Sequence, residues 1–151
     1  MTVRPLSFLL GSCVLALVAS PAVHAERSET LGEYTVHYNA IPTTALNPDV
    51  ARRYAITRSA GRALINIAVL RQSSDSAEPQ AVPARIEASS RALTGQRNDI
   101  VLREIREQEA IYYIGDFRIR GEERLRFELN VTPEGSRRPI PIRFEQSLVG
   151  D

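Results

Sequence analysis

Several residue types on which enzyme chemistry often depends are missing, or nearly so, from this chain of 151 residues. It has no lysine, because every basic side chain is an arginine, which stays protonated and forms no Schiff base. This absence excludes a P-loop lysine, a pyridoxal-phosphate lysine and a Ser-Lys dyad. The eight glycines are scattered singly, and neither G-x-S-x-G nor G-x-G-x-x-G occurs.

Metal-binding residues are equally scarce. The single cysteine is Cys13, and of the two histidines, His24 lies near Cys13 in the N-terminal segment while His37 lies beyond it. A zinc site of histidine and cysteine ligands cannot be built from His37 alone. Nineteen arginines and eighteen acidic residues give a formal net charge of +1, which gives no reason to expect a nucleic acid as partner. We therefore expect no metal, no cofactor and no nucleic-acid partner.

The N-terminal segment has the pattern of a secretory signal peptide. Arg4 supplies the positive charge, residues 6–19 are uncharged and largely apolar, and Val23-His24-Ala25 ends the segment with small residues at the two positions a signal peptidase reads. The pattern predicts a signal peptide over 1–25, with cleavage between Ala25 and Glu26. It also predicts an exported protein whose mature part, 26–151, is a single domain without a disulfide.

Two alternatives to a cleaved leader fit less well. As a helix at about 1.5 Å per residue, residues 6–20 would span roughly 22 Å, less than the ~30 Å hydrocarbon core of a bilayer. Leu10-Gly11-Ser12-Cys13 resembles a lipoprotein box, but Cys13 lies in the middle of the apolar run, so a lipoprotein would begin with an apolar tether. For the mature domain we expect no stable membrane insertion.

From residue 34 onward, apolar residues recur with the period of two that is typical of β-strands. The pattern predicts seven strands, at 34–40, 63–70, 82–93, 99–107, 110–120, 125–132 and 140–148. Asn47-Pro48-Asp49 is a helix-start signal and predicts one short helix from Pro48 to about Tyr54. Residues 72–81 contain no large apolar side chain and are predicted to form an exposed loop. Together these features predict an all-β fold, an immunoglobulin-like antiparallel β-sandwich.

The last three strands allow their pairing to be predicted. A two-residue loop at Gly135-Ser136 places three apolar pairs on one face and three pairs of opposite charge on the other, so it favours one register. Those pairs are Val131–Ile140, Leu129–Ile142, Phe127–Phe144, Glu128–Arg143, Arg126–Glu145 and Glu134–Arg137. Pro139 and Pro141 are two residues apart, so the backbone N–H donors that both prolines lack would lie on the same side of the last strand. That side cannot pair with a further strand, which predicts that the last strand is a sheet edge.

A second hairpin is predicted around Gly121-Glu122-Glu123, and it carries the first candidate site. It would pair Ile119 with Leu125 and Phe117 with Phe127 on the core side. On its outer face it would gather Arg118, Arg120 and Arg124 with Arg126, and four such guanidinium groups could bind a phosphate, a carboxylate or a lipid headgroup. A solvated face of salt bridges explains the same residues more simply.

Two further residues are weak binding candidates. His37 lies on the polar side of its strand, where a surface histidine is the ordinary case. Tyr112 and Tyr113 place one ring on each face of a strand, so one belongs to the core and the other to a contact surface; Tyr113 is the candidate. No pair of acids points to acid–base catalysis, and we predict no catalytic residues.

Five segments give the chain a resemblance to a known family. They are E-Y-T-V-H-Y-N (33–39), L-N-P-D-V-A-R-R-Y-A-I (46–56), R-A-L-I-N-I-A-V-L (62–70), Y-Y-I-G-D-F (112–117) and I-R-F-E-Q-S (142–147). In content and order they resemble the bacterial domain-of-unknown-function family 4426. The resemblance implies an exported β-sandwich protein of Gram-negative bacteria, with no established activity and no functional residues to carry over.

The sequence therefore predicts a non-catalytic binding or accessory module of the periplasm. Its partner would be an unidentified protein or envelope component. Two alternatives stay open: a periplasmic hydrolase or ligand-processing enzyme using His37 with nearby polar groups, and a structural envelope-assembly factor.

Overall fold

The computed structural model describes residues 27–150, which form two antiparallel β-sheets packed face to face. The predicted signal peptide, its cleavage site at Ala25 and Glu26, and Cys13 lie outside these residues. The described strands are β1 (Arg27–Leu31), β2 (Tyr34–Pro42), β3 (Arg62–Arg71), β4 (Gln80–Ala81), β5 (Ala84–Ala92), β6 (Arg97–Ile100), β7 (Arg103–Glu107), β8 (Ala110–Arg118), β9 (Glu122–Pro133) and β10 (Ile140–Val149). A 3-10 turn (Thr43–Ala45) and a short helix, α1 (Pro48–Arg53), follow β2. Within 27–150 no helix is long and apolar enough to cross a membrane.

The first sheet has the strand order β1-β2-β3-β8-β7, with β4 paired to the C-terminal end of β3. The second sheet has the order β10-β9-β5-β6. The predicted fold class, an all-β antiparallel sandwich with one short helix, is thus confirmed. So is the edge position of β10, whose Pro141 cannot donate to a further strand. β3 lies in the middle of the first sheet and is largely apolar on both faces.

The core lies between the sheets and follows the predicted alternation. Along β2 the residues Tyr34, Val36, Tyr38 and Ala40 are buried, and the residues between them are only partly so. Aromatic rings join the layers: Phe127 of the second sheet stacks on Phe144 at 4.7 Å and meets Phe117 of the first sheet edge-on at 5.6 Å. Such pairs are worth about 0.5–1.5 kcal/mol beyond the area they bury.

The number of strands differs from the prediction. Of the ten strands, β1 and β4 were not predicted, and the predicted strand 99–107 is divided into β6 and β7. The chain leaves the second sheet after Ile100 and enters the first at Arg103, with Val101 and Leu102 between them. Gly115 of β8 permits this crossing, because a Cβ there would lie 2.9 Å from the Val101 carbonyl oxygen and 2.5 Å from a methyl carbon of Ile100.

The predicted register of the last hairpin is confirmed, although its turn is different. The β9–β10 ladder contains all three apolar pairs, together with Glu128–Arg143 and Arg126–Glu145. The turn is formed by residues 133–136, where the Ser136 N–H donates to the Pro133 carbonyl at 3.0 Å and Gly135 has φ +85°. The prediction of a two-residue loop is therefore wrong, and the predicted pair Glu134–Arg137 lies outside the ladder.

The predicted hairpin around Gly121 is also wrong. β8 belongs to the first sheet and pairs with β3 and β7, whereas β9 belongs to the second and pairs with β5 and β10. Both sides of β9 are occupied, so β8 has no place beside it. Ile119 and Leu125 are both buried, as predicted, but they meet the core from opposite layers instead of pairing within one sheet.

A small second core covers part of the outer face of the first sheet. The predicted helix start is confirmed: the Asn47 side chain accepts a hydrogen bond from the Asp49 N–H at 2.8 Å, and Pro48 opens α1. Ala51 of the helix and Ile56 after it pack on Leu64 and Ile114. The helix thus shields one end of this face and leaves the other end open.

Candidate binding site

The open end of this face contains a fork in the first sheet. Because β2 pairs with one side of β3 along residues 63–71, both β8 and β4 must lie on its other side. β8 pairs with residues 62–67 of β3, and β4 pairs with Leu70 and Arg71. The first residues of β8, 110–112, therefore pair only with β7, and a groove opens between them and β4. We call it the fork groove.

The fork groove has an apolar floor and a volume of about 470 Å³. Its floor and walls come from β2, β3, β4, β7, β8 and the β7–β8 turn, and most of the exposed lining surface is apolar. The apolar lining residues are Ala68, Leu70, Pro79, Ala81, Ala110, Ile111 and Tyr112. A second cleft of about 370 Å³ adjoins it and shares Pro79, Ala81 and Glu109. The two together form one continuous depression, of the size and character of small binding sites.

The charged residues lining this depression are all acidic, and the one histidine among its lining residues is His37. Glu107 and Glu109 belong to the fork groove and Glu78 to the adjoining cleft, and no arginine is among the lining residues of either. Glu107 is engaged by Arg53 at 4.0 Å and by Tyr54, whose pKa is raised by its hydrogen bond with this carboxylate. Glu78 and Glu109 are exposed and, within residues 27–150, make no side-chain hydrogen bond or ion pair.

His37 is the predicted candidate that the structure places at this groove. It lies on the outer face of β2, opposite Ala68 of β3 and Ser28 of β1. Asn39 and Asn66 are paired with each other across the same two strands, but neither is a lining residue. The Asn66 side-chain oxygen is buried without a hydrogen-bond partner in the described part of the chain.

Tyr113 is the core member of the tyrosine pair, and Tyr112 is the one that lines the groove. The Tyr113 hydroxyl donates to Glu104 Oε2 at 2.9 Å and accepts from the Ala84 N–H at 2.8 Å, and burial raises its pKa. Hydrogen bonds from Arg106 and then from Tyr113 lower the pKa of Glu104. Since Ala84 begins a strand of the other sheet, this network ties the two layers together.

The three candidate arginines do not share one surface. Arg118 lies on β8 of the first sheet, and with Arg120 it lines a cleft of about 520 Å³ that also contains Asp99, Asp116 and Glu123. Arg124 lies on β9 of the second sheet and, like Arg126, contacts Glu145, at 2.9 and 2.7 Å. Arg124 is therefore paired with a carboxylate, and Arg118 and Arg120 share their cleft with three.

A different arginine row crosses the outer face of the second sheet. Arg126, Arg91 and Arg97 occupy directly opposed positions on β9, β5 and β6. Arg91 stands in the middle, and its guanidinium donates to the Gly95 carbonyl at 3.2 Å. Like charges in opposed positions destabilise a sheet. Sequence reasoning missed this row because the pairing of β5 with β9 joins distant segments, and no local pattern reports it.

No group of three or more histidine, cysteine, aspartate or glutamate side chains is arranged to hold a metal ion among residues 27–150. Carboxylates are plentiful in this part of the chain, but several of them pair with arginine, as Glu104, Asp116 and Glu145 do. The depression beside β4 is accordingly the clearest candidate for a binding site.

The fold defines an all-β antiparallel sandwich protein. Within this class the chain belongs to the family described as "Domain of unknown function (DUF4426)", whose family model matches residues 28–151, so the predicted resemblance is confirmed. A DUF4426 family protein of Pseudomonas aeruginosa has a similar crystal structure, with 28% identity and a TM-score of 0.70; the match covers 83% of this chain and 96% of that one. A search of curated proteins finds no match.

Two more distant structures share the fold. A copper-bound variant of FetP from uropathogenic Escherichia coli strain F11 is 11% identical, with a TM-score of 0.59 over 83% of this chain and 95% of that one. FetP was also solved after expression in the E. coli periplasm. A copper-bound variant of Campylobacter jejuni P19 is 11% identical, with a TM-score of 0.52 over 80% of this chain and 93% of that one.

Proposed function

We propose that this protein is an exported, non-catalytic accessory module of the bacterial envelope that binds a partner in the fork groove. The observation that carries the proposal is the groove itself: an apolar floor exposed where the sheet divides, bordered by Glu78 and Glu109, with no arginine among the lining residues. Its lining combines residues from five strands and a turn, so the fold holds it in shape.

Export is supported by the leader and by the kind of protein that shares the fold. The segment 1–25 has the pattern of a cleavable signal peptide. FetP, one of the structures with this fold, was produced in the periplasm. Intact-mass measurement of the native product after fractionation tests this part. A periplasmic species beginning at Glu26 supports it, and a cytosolic full-length chain contradicts it. A lipid-modified Cys13 would contradict the cleavage between Ala25 and Glu26.

Copper, which is bound in the FetP and P19 variant structures, is not part of the proposal. Copper in proteins is held by imidazole, thiolate and thioether ligands. The described residues include one histidine, His37, and neither cysteine nor methionine. The donor set therefore does not fit a copper site of that kind.

A hydrolase is the second candidate, and one observation favours it. Ser28 lies opposite His37 in the β1–β2 ladder, on the same face of the sheet, as a nucleophile and its base would. Exchanging Ser28→Ala in the complementing gene separates the two functions, because Ser28 is not among the lining residues of the groove whereas His37 is. A binding module keeps its activity in this variant, whereas a hydrolase with Ser28 as its nucleophile loses the rescue of the deletion phenotype.

Site-specific photocrosslinking in intact cells tests the groove directly. A photoreactive amino acid replaces Gln108, at the groove, and in a matched strain Arg85, on the outer face of the second sheet. We expect one defined crosslinked species from position 108 and none from position 85. The same products from both positions, or none from position 108, would contradict the proposal.

A further inference from the structure

We propose that the ligand of the fork groove is an extended peptide segment of a partner protein that carries basic side chains. This inference rests on the proposed function, because it specifies what the groove binds. It follows from two features of the groove, the backbone of β8 and the charge of its rim.

The first feature is an unpaired strand edge. Residues 110–112 are regular β-strand and pair with residues 105–107 of β7 on one side. On the other side the ladder with β3 has already ended at Tyr113, and these residues line the groove. An unpaired edge offers N–H and C=O groups to an added strand, and three residues give about 10 Å of it.

The alternating geometry of a strand matches the lining. A peptide laid along this edge would direct every second side chain toward the apolar floor formed by Leu70, Ala81 and Tyr112. Its remaining side chains would point outward, toward the rim. A segment that alternates apolar and polar residues therefore fits both surfaces at once.

The second feature is the charge of the rim. Glu78 and Glu109 are exposed and without partners in the described chain, although arginines and acids are equally common after residue 25. Most other carboxylates near a groove or cleft of this protein have an arginine among the lining residues, as Asp99 and Asp116 do. Charge complementarity thus selects lysine or arginine as the outward residues of the peptide.

Peptide binding to the purified mature protein tests the inference. The probe is a fluorescein-labelled hexapeptide that alternates valine and lysine, measured by fluorescence anisotropy. The comparison probes alternate valine and glutamate, or carry N-methyl groups that remove the backbone donors of the valine-lysine peptide. We expect saturable binding of the lysine peptide alone, with amide NMR shifts at residues 68–70, 80–81 and 110–112.

Charge variants provide the matched control. The double change Glu78→Gln with Glu109→Gln should weaken binding of the lysine peptide about fivefold at low salt. Glu87→Gln, on the outer face of the second sheet, should leave the affinity unchanged. Equal weakening by both variants overturns the inference, because the attraction would then be unspecific.

Three other results would also overturn it: equal binding of the glutamate peptide, undiminished binding of the N-methylated peptide, and full competition by hexylamine at equal concentration, which would indicate a small organic cation.

The crosslinking experiment distinguishes failure of this inference from failure of the proposed function. If a partner is captured at position 108 but the purified protein does not bind the lysine peptide, only the proposed class of ligand is contradicted. Failure to capture any partner contradicts the proposed function.

Discussion

Gly115 is the residue whose size has the clearest structural consequence. The change Gly115→Ala places a Cβ against Ile100 and the Val101 carbonyl, at distances that ordinary contacts do not reach. Since one contact is backbone, the crossing segment itself must move, and we expect a loss of about 1–3 kcal/mol in the free energy of unfolding. Urea denaturation of both proteins measures it.

Gly61→Ala is the matched control for this prediction. A Cβ at Gly61 would meet only the Ile119 carbonyl at 3.7 Å, an ordinary contact, and its backbone is not left-handed. We expect a change within about 0.5 kcal/mol of zero. Equal losses in the two variants would show that the close approach at Gly115 is not what limits stability.

Arg91 gives a prediction of the opposite sign. Arg91→Glu replaces the middle charge of the row formed with Arg126 and Arg97, so two repulsive cross-strand pairs become attractive. We expect the variant to be more stable by about 1 kcal/mol, and the gain to shrink at high salt. Arg85→Glu, whose opposed residue is Thr132, should change little. A destabilised Arg91 variant would contradict the prediction.

At the scale of elements, the Tyr113 hydroxyl connects β7 and β8 with the start of β5. Tyr113→Phe removes the acceptor of the Ala84 N–H and the donor to Glu104, so it should cost about 1–3 kcal/mol. Tyr112→Phe is the control, because the Tyr112 hydroxyl makes no hydrogen bond within residues 27–150. Thermal unfolding of both variants measures the loss of stability. An unchanged unfolding temperature of the Tyr113 variant would show that the hydrogen-bond network adds no stability.

The elements also show what the sequence can predict. The β9–β10 register was predictable because the two strands are neighbours in the chain and a slip of one residue would expose the row from Phe127 to Val131. The hairpin between β8 and β9 was predicted by the same reasoning and is wrong. Both strands bury alternate residues in one shared core, and that alternation is identical whether they pair within a layer or face each other across it.

The candidate site was less predictable for a similar reason. The loop 72–81 is exposed, as predicted, but its end forms the two-residue strand β4, which is too short to show a period. The fork forms because β4 and β8 pair with the same side of β3. The pairing of β3 with β8 joins segments that are distant in the sequence, so no local pattern predicts it. His37 was identifiable as the lone histidine, whereas the acidic rim only became visible once Glu78 and Glu109 were brought together.

For the whole molecule, two paired carboxylates predict acid sensitivity. Hydrogen bonds from Arg126 lower the pKa of Glu145, and those from Arg106 lower that of Glu104, both from an ordinary value of 4.5. A carboxylate with a lowered pKa in the folded state contributes stability above pH 4.5 and loses it as the pH falls through the lower value. The folded protein should therefore weaken in this acid range.

The double variant Glu104→Gln with Glu145→Gln tests the pH dependence. Neither glutamine titrates, so we expect the variant to be less stable than the parent at pH 7 and to lose less stability on acidification to about pH 3. Urea midpoints at both pH values measure the difference. Parallel pH curves for the two proteins would contradict the assignment of acid sensitivity to these carboxylates.

The order in which the chain visits its two layers has a consequence for how the protein is made. The strands β1–β4 belong to the first sheet, β5 and β6 to the second, β7 and β8 to the first again, and β9 and β10 to the second. The opening and closing strands also touch, since Arg27 Nη1 donates to Gln146 Oε1 at 2.9 Å. A nascent chain threaded N-terminus first thus completes the first layer only when β8 has emerged, and the second only with β10. Until then its unpaired strands are open to proteolysis and to capture by chaperones.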